Sequence, residues 1–342
     1  MDKQPLISVV VSVYNTAKYL KQSLGSLSNQ TFEKIEFVIV NNGSSDNSID
    51  IIKEWASKDN RFRIVDSKEN HGPGGGKNLG IHASKGIYIG LLDSDDYVAP
   101  EMYESLFNST DNLTQDIVIS NYYKKFGGGD ANIYNFENVS QLQSGTLDDI
   151  KKYICVNGAR LWTSIIKKSL FVDNDLLYPE NIGWDDNAIG LSIYLSAKSI
   201  KIVSNKTPYY YYRTNNQSET RSLDNPKYWD RLETAIMHYN NCKRLGFYNL
   251  FRDEIDFSFY RYYYRSIYHS MGSFSHIQLK RIISIKNGFE QITNNYNVNN
   301  SKYSNEILLY EKVESYLKPY GPIWIFYIIM LFYIRKIIHI IK

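Results

Sequence analysis

The chain has 342 residues, 43% of them hydrophobic, enough for one large domain or two modest ones with a real core. Thirty-nine basic and 36 acidic residues leave a net charge of +3, so no nucleic-acid-binding surface is signalled. The two cysteines, Cys155 and Cys242, exclude a disulfide framework and fit a reducing cytoplasm.

The apolar stretch Leu6 to Val13 is short and lacks a small-residue cleavage site, so it predicts a first strand, Ile7–Val13, rather than a signal peptide. Ala17–Ser28 carries Tyr19, Leu20, Leu24 and Leu27 at helical spacing. Residues 35–40 read as a second strand, closed by Asn41-Asn42-Gly43, and Ser44 or Ser45 is the expected cap of a helix over 46–57. Residues 62–65 give a third strand. Gly72-Pro73-Gly74-Gly75-Gly76 reads as a glycine-rich turn leading into a helix through Leu79 and Ala83; it is not a phosphate-binding Walker loop, because no Gly-Lys-Ser/Thr ending follows. Residues 87–92 form a fourth apolar strand.

This alternation predicts an α/β fold with a mostly parallel sheet covered by helices on both faces. Ligands of such sheets bind beyond the carboxyl ends of the strands, where Tyr14-Asn15, Asn41-Asn42, residues 71–77 and Asp93-Ser94-Asp95-Asp96 all fall. The three carboxylates of the last segment repel one another, and burying them uncompensated is costly. A hard divalent cation, Mg²⁺ or Mn²⁺, resolves the conflict, bridging carboxylates to substrate phosphates. The plainer alternative is a solvated acidic turn capping a helix near Pro100.

After residue 107 the rhythm changes. Residues 117–123 predict a strand, Gly127-Gly128-Gly129-Asp130 a turn, and 150–155 and 163–171 helical or mixed structure. Trp184-Asp185-Asp186 precedes an apolar helix over 188–195, and Ile200–Val203 is a short strand leading to Tyr209-Tyr210-Tyr211-Tyr212. Residues 225–316 are largely helical, with an Asn-rich, loop-like stretch over 287–305. The many tyrosines, 30 in all, read first as helix packing and second as sugar- or membrane-facing rings. The tail from 319 is too short and too charged at its end to span a bilayer. It fits a helix in the headgroup region, with Trp324, Tyr327 and Tyr333 as anchors and Arg335, Lys336, His339 and Lys342 facing anionic lipid. Packing on the protein or on a second subunit of a homodimer is the alternative. The expected organisation is 1–222 catalytic, with a nucleotide-sugar half over 1–110 and an acceptor half over 111–222; then 223–318 helical, and 319–342 the tail.

Taken in order, Ile7 through Asn15, Gln30-Thr31-Phe32, Glu36 through Asp46, Asn70-His71-Gly72 through Gly80 and Leu92 through Asp96 resemble glycosyltransferase family 2, whose fold is GT-A. Beyond residue 110 the resemblance rests on Trp184-Asp185-Asp186 and on Tyr212-Arg213 with Ser218 and Thr220. It implies an inverting, metal-dependent hexosyl- or N-acetylhexosaminyltransferase using a UDP-sugar, with a lipid-linked oligosaccharide acceptor in bacterial surface polysaccharide assembly at the inner membrane face. Val13, Tyr14 and Asn15 would line the uracil and ribose pocket, and Asn42 stands where an acidic group usually reads the base. Lys77 stands where Arg is frequent and would offset phosphate charge. Asp93 would contact ribose or a metal-bound water, Asp95 would bind Mn²⁺ or Mg²⁺, Ser94 lies between them, and Asp96 would support the site or cap the next helix. Asp186 is the expected general base and Asp185 its partner, with Trp184 a floor for a sugar ring; helix capping is the plainer use of the pair. Arg213, Ser218 and Thr220 would lie in a loop over the diphosphate. Two rival readings are a sugar-nucleotide pyrophosphorylase, opposed by Tyr14-Asn15-Thr16-Ala17 in place of a basic glycine-rich loop, and a non-catalytic, membrane-associated nucleotide-sugar-binding scaffold.

Overall fold

The computed structural model of the protein describes residues 4–120, 122–125, 132–134, 139–203, 209–213, 223–294 and 296–341. The chain divides into two compact units, Met1–Asn216 and Gln217–Lys342.

The first unit opens with β1 (Ile7–Val13), α1 (Ala17–Ser28), β2 (Ile35–Asn42), α2 (Ser48–Lys58), β3 (Phe62–Ser67), α3 (Gly72–Ala83) and β4 (Tyr88–Leu91). It continues with β5 (Tyr97–Val98), α4 (Met102–Asn108), β6 (Ile117–Ser120), β7 (Tyr122–Lys125), β8 (Asn132–Tyr134), α5 (Val139–Ser144) and α6 (Leu147–Asn157). It closes with β9 (Ser164–Lys167), α7 (Lys168–Val172), α8 (Asp185–Ser196), β10 (Ile200–Val203) and β11 (Tyr210–Arg213). Seven strands form the main sheet in the order β10-β6-β9-β4-β1-β2-β3. Only β9 among them runs antiparallel to its neighbours, β4 and β6. β1 and β2 are apolar on both faces because helices cover both, as a parallel sheet requires. Each fully buried Val, Ile or Leu there contributes about 1.5–3 kcal/mol.

One carboxylate lies inside this layer. Glu36 of β2 accepts from Ser8 Oγ (2.6 Å), the Lys85 backbone N–H (2.6 Å) and Arg63 (2.7 Å). Burial pushes its pKa upward, but these donors outweigh it and hold the group below the ordinary carboxylate range. A lowered folded-state pKa stabilises above the unfolded value and is lost as pH falls through the folded one. Glu36→Gln is therefore expected to cost about 2 kcal/mol at neutral pH. Urea denaturation should show the gap to wild type closing below roughly pH 4; a gap independent of pH would contradict the account.

A smaller sheet, β5-β11-β7-β8, follows the acidic segment directly. β11 pairs with β5 through Tyr210 and Tyr211 and with β7 as far as Arg213, so Arg213 ends a strand rather than lying in a loop. Tyr97 and Tyr211 stack across that pair at 4.7 Å. Ser218, Thr220 and the turn at 127–130 lie outside the described residues.

The second unit is helical: α9 (Asp230–Arg244), α10 (Arg252–Phe259), α11 (Ser266–Ser273), α12 (Leu279–Thr293), α13 (Leu309–Leu317) and α14 (Gly321–Ile341). Its tyrosine run is core: Tyr260, Tyr263, Tyr264 and Tyr268 are buried. α14 is a C-terminal helix held by its own unit. Trp324, Ile328 and Phe332 are buried along one side. Trp324 Nε1 donates to Glu314, Tyr327 Oη donates to the Tyr310 carbonyl, and Arg335 donates to the Tyr268 carbonyl. Trp324 and Tyr327 are thus tied into the protein and not free as lipid anchors. The opposite side exposes Ile323, Phe326, Met330, Tyr333 and Ile334. Among the described residues, no helix is long and apolar enough to cross a membrane.

Candidate active site

The site assembles at the carboxyl ends of β1, β2, β3 and β4. After β1, Asn15 turns into the left-handed region (φ 52°) and its side-chain Oδ1 accepts from the Ser45 and Asp46 backbone N–H groups. Asp46 then caps two helices at once, accepting from the Ala17 N–H of α1 and the Ser48 N–H of α2. Neither Ser44 nor Ser45 takes that capping role; Ser44 Oγ instead bridges the Val13 carbonyl and the Asn15 N–H. Val13 is buried, and Tyr14 stands 47% exposed beside it.

The glycine-rich segment is the first turns of α3, not a loop preceding it. Glycine is a poor helix former, at roughly 1 kcal/mol per residue relative to alanine. Close approach accounts for it. A Cβ on Gly80 would lie 2.2 Å from Val10 of β1, and one on Gly74 would lie 2.2 Å from the Pro179 carbonyl. α3 is thereby pressed between the sheet and the 178–181 segment. Asn78 fastens that segment from the other end, its amide donating to and accepting from the Tyr178 backbone at 2.9 and 3.0 Å.

This packing delivers Lys77 to the head of α8. Lys77 Nζ donates to Asp185 (2.9 Å) and Asp186 (2.8 Å), the first two residues of α8, and lies 4.9 Å from the Tyr178 ring centroid. Burial disfavours the Lys77 charge, but Asp185, Asp186 and Asp93 together raise its pKa well above the usual value. Trp184, which precedes the pair, adopts φ 62°, a strained conformation for a bulky residue. Trp184 occupies the cap position of α8 and makes no side-chain cap bond, and the two aspartates open the helix. Their charges still suit the helix's positive end. Burial raises the Asp185 carboxyl, and Lys77 opposes the rise.

The acidic segment follows β4. Asp93 is pushed up to about 7, chiefly by desolvation, with Lys77 acting against that and Asp186, Asp95 and Asp185 adding to it. Burial also raises Asp95, against the pull of Arg213. Asp96 is buried and occupied: it accepts from Tyr210 Oη (2.8 Å) and the Arg213 N–H (2.6 Å), which joins the two sheets and does not cap α4. Ser94 accepts from Thr16 Oγ1 at 2.9 Å. The Arg213 guanidinium donates to the Asp95 carbonyl (2.9 Å) and to Gln22 (2.5 Å), above the Tyr19 ring. Asn42 is enclosed: its amide donates to the Gly72 carbonyl and to Asn70 Oδ1, and accepts from the His71 N–H.

Among the described residues, no three His, Cys, Asp or Glu side chains converge as a self-sufficient metal cage. The donor set nevertheless fits a hard divalent cation. Carboxylates raised by desolvation, and at Asp93 by its acidic neighbours as well, gain from a cation, and Mg²⁺ or Mn²⁺ needs only one or two of them beside a diphosphate. Sequence reasoning missed Tyr178, whose buried hydroxyl has no hydrogen-bond partner among the described residues and sits among Asp186, Lys77, Asp185 and Asp93. No local signal marks it.

Residues 8–168 match the model of glycosyl transferase family 2. The glycosyltransferase GlyG of Streptococcus pneumoniae is 30% identical over 270 residues, covering 72% of this chain and 87% of GlyG. The chain belongs to glycosyltransferase family 2. EpsH of Bacillus subtilis is 34% identical over 217 residues, 61% of each protein, so the match spans about three fifths of that relative. The crystal structure of Staphylococcus aureus TarS matches with a TM-score of 0.62 at 20% identity, over 95% of this chain and 54% of TarS. TarS 1-349 in complex with UDP-GlcNAc matches with a TM-score of 0.56 at 21% identity, over 85% of this chain and 89% of that one. At such identities the likeness is one of fold, and it is the GT-A arrangement expected of family 2.

Proposed function

We propose that this family 2 member transfers a hexose or N-acetylhexosamine from a UDP-sugar to a saccharide hydroxyl, with inversion at the anomeric carbon. The observation that carries the reading is the meeting of Asp185 and Asp186 on Lys77, beside Asp93, at the carboxyl rim of the sheet. Asp186 is partly exposed, and its Oδ2 has no protein hydrogen bond among the described residues, so it is open to an acceptor hydroxyl. It takes the acceptor's proton as the oxygen attacks the sugar carbon opposite the diphosphate. Asp185, enclosed and tied to the same ammonium, fixes the pair's orientation. Asp93 and Asp95 would hold Mg²⁺ or Mn²⁺, which when bound supplies charge neutralisation of the departing diphosphate. Arg213 lies against Asp95, where its guanidinium adds positive charge. TarS with UDP-GlcNAc supports a uridine donor. Turnover of a UDP-sugar panel with Mn²⁺, followed by NMR of the linkage, tests the reading; no turnover with any donor alongside intact UDP binding would favour a scaffold instead.

The acceptor we propose is lipid-linked, met at the inner membrane face through the apolar outer side of α14. Ile323, Phe326, Met330, Tyr333 and Ile334 present that side, and the sequence after Ile334 carries Lys336, His339 and Lys342. Because Trp324 anchors the helix to its own unit, truncation from residue 323 would disturb packing as well as binding. Phe326→Glu with Tyr333→Glu is the cleaner test: sedimentation with anionic vesicles should fall by about tenfold or more while turnover on a soluble acceptor persists. Unchanged sedimentation would contradict it.

A further inference from the structure

Asn41 and Asn42 leave β2 on opposite faces of the sheet, as the pleat requires. Both Asn42 amide hydrogens and its carbonyl are taken by residues 70–72, and the residue is 1% exposed, so it has little to offer a ligand. Asn41 differs. Its Oδ1 accepts from the Ser44 N–H (3.2 Å), and its Nδ2 donates to Asp66 Oδ1 (2.7 Å). Val13, Asn41 and Asp66 are register partners across β1, β2 and β3, so the row at the strands' carboxyl ends finishes in a carboxylate. Asp66 is exposed, held at one oxygen by an amide and bare of protein hydrogen bonds at the other among the described residues.

We propose that Asp66, oriented by Asn41, reads the donor's nucleobase and selects uracil. The inference rests on the uridine-donor reading above and assigns its specificity to a strand neighbouring the one expected from sequence. Uracil presents a single imide N–H between two carbonyls. One carboxylate oxygen accepts that N–H. Cytosine carries a lone pair at the same ring nitrogen, which a carboxylate repels. Guanine offers two adjacent donors that match a carboxylate with both oxygens unoccupied, and Asn41 already holds one here. Tyr14, beside Val13, supplies an aromatic face for stacking.

Calorimetry of the full chain with UDP, CDP and GDP, with Mn²⁺ present, tests this. Wild type should prefer UDP. Asp66→Ala should weaken UDP by about tenfold or more, with smaller effects on CDP and GDP. Asp66→Asn, whose amide can donate to the cytosine ring nitrogen, should shrink the UDP-to-CDP ratio further. Equal melting temperatures of the three proteins separate recognition from folding. UDP affinity within about twofold of wild type in both variants, or GDP bound by wild type as tightly as UDP, would overturn the assignment and leave the transferase reading standing. Wild type binding no nucleoside diphosphate would overturn both.

Discussion

Asp186→Asn is expected to lower turnover by about a hundredfold or more while UDP binding persists. Asn keeps the shape of the side chain and an oxygen for Lys77, which lies 2.8 Å from Asp186 Oδ1. It cannot take a proton. A variant that folds, binds UDP with the wild-type Kd and stalls in single-turnover transfer would isolate the base from every positioning effect. The carboxylate is 32% exposed in its side chain, unlike Asp185 at 9%, so of the two it is the one an acceptor can reach. Asp185→Asn should mainly destabilise. Wild-type single-turnover rates in Asp186→Asn would remove Asp186 from the mechanism.

Lys77→Met is expected to destabilise the first unit by about 3–5 kcal/mol at neutral pH, the scale for stranding one partner of a buried ion pair. Lys77 is nearly enclosed and serves two carboxylates. Without it, Asp185 stays at the head of α8 with its pKa raised still further. An acid whose folded-state pKa is raised destabilises the fold above its unfolded value, and the penalty is relieved as pH falls through the folded one. The gap between variant and wild type should therefore narrow from pH 7.5 to 5.5 in urea titrations. Lys77→Arg keeps the charge and should recover most of the loss; an equally large loss in Lys77→Arg would point to shape, not charge.

The strands of the main sheet were legible because buried parallel strands are written as β-branched runs: β1 and β10 fall where the sequence places them. α3 was misjudged at its start because five glycines carry no side-chain periodicity; their reason lies in Val10 and in the 178–181 segment, which no local window contains. Arg213 was assigned to a loop because its strand partner, Lys125 of β7, is far from it in sequence and no local window contains both. The aspartates were legible as a cluster at the sheet's rim, since carboxylates at strand ends conflict with burial. Their ammonium partner was not, because Lys77 and Asp185 are 108 residues apart. The helical unit was read correctly as helical, but its buried acids, Glu311 and Glu314, depend on Arg265 and on Tyr264, Tyr268 and Trp324 across separate helices.

The wedging of α3 has a consequence for how the enzyme comes into being. A helix so poor in intrinsic propensity cannot persist until both of its walls exist, and one wall is made by chain that emerges from the ribosome about a hundred residues later. A nascent fragment ending near residue 110 should show fast amide exchange throughout 72–83, even where its first strands are protected. Competence to bind donor then arrives in a single late step, so that partial products of synthesis stay idle toward nucleotide sugars.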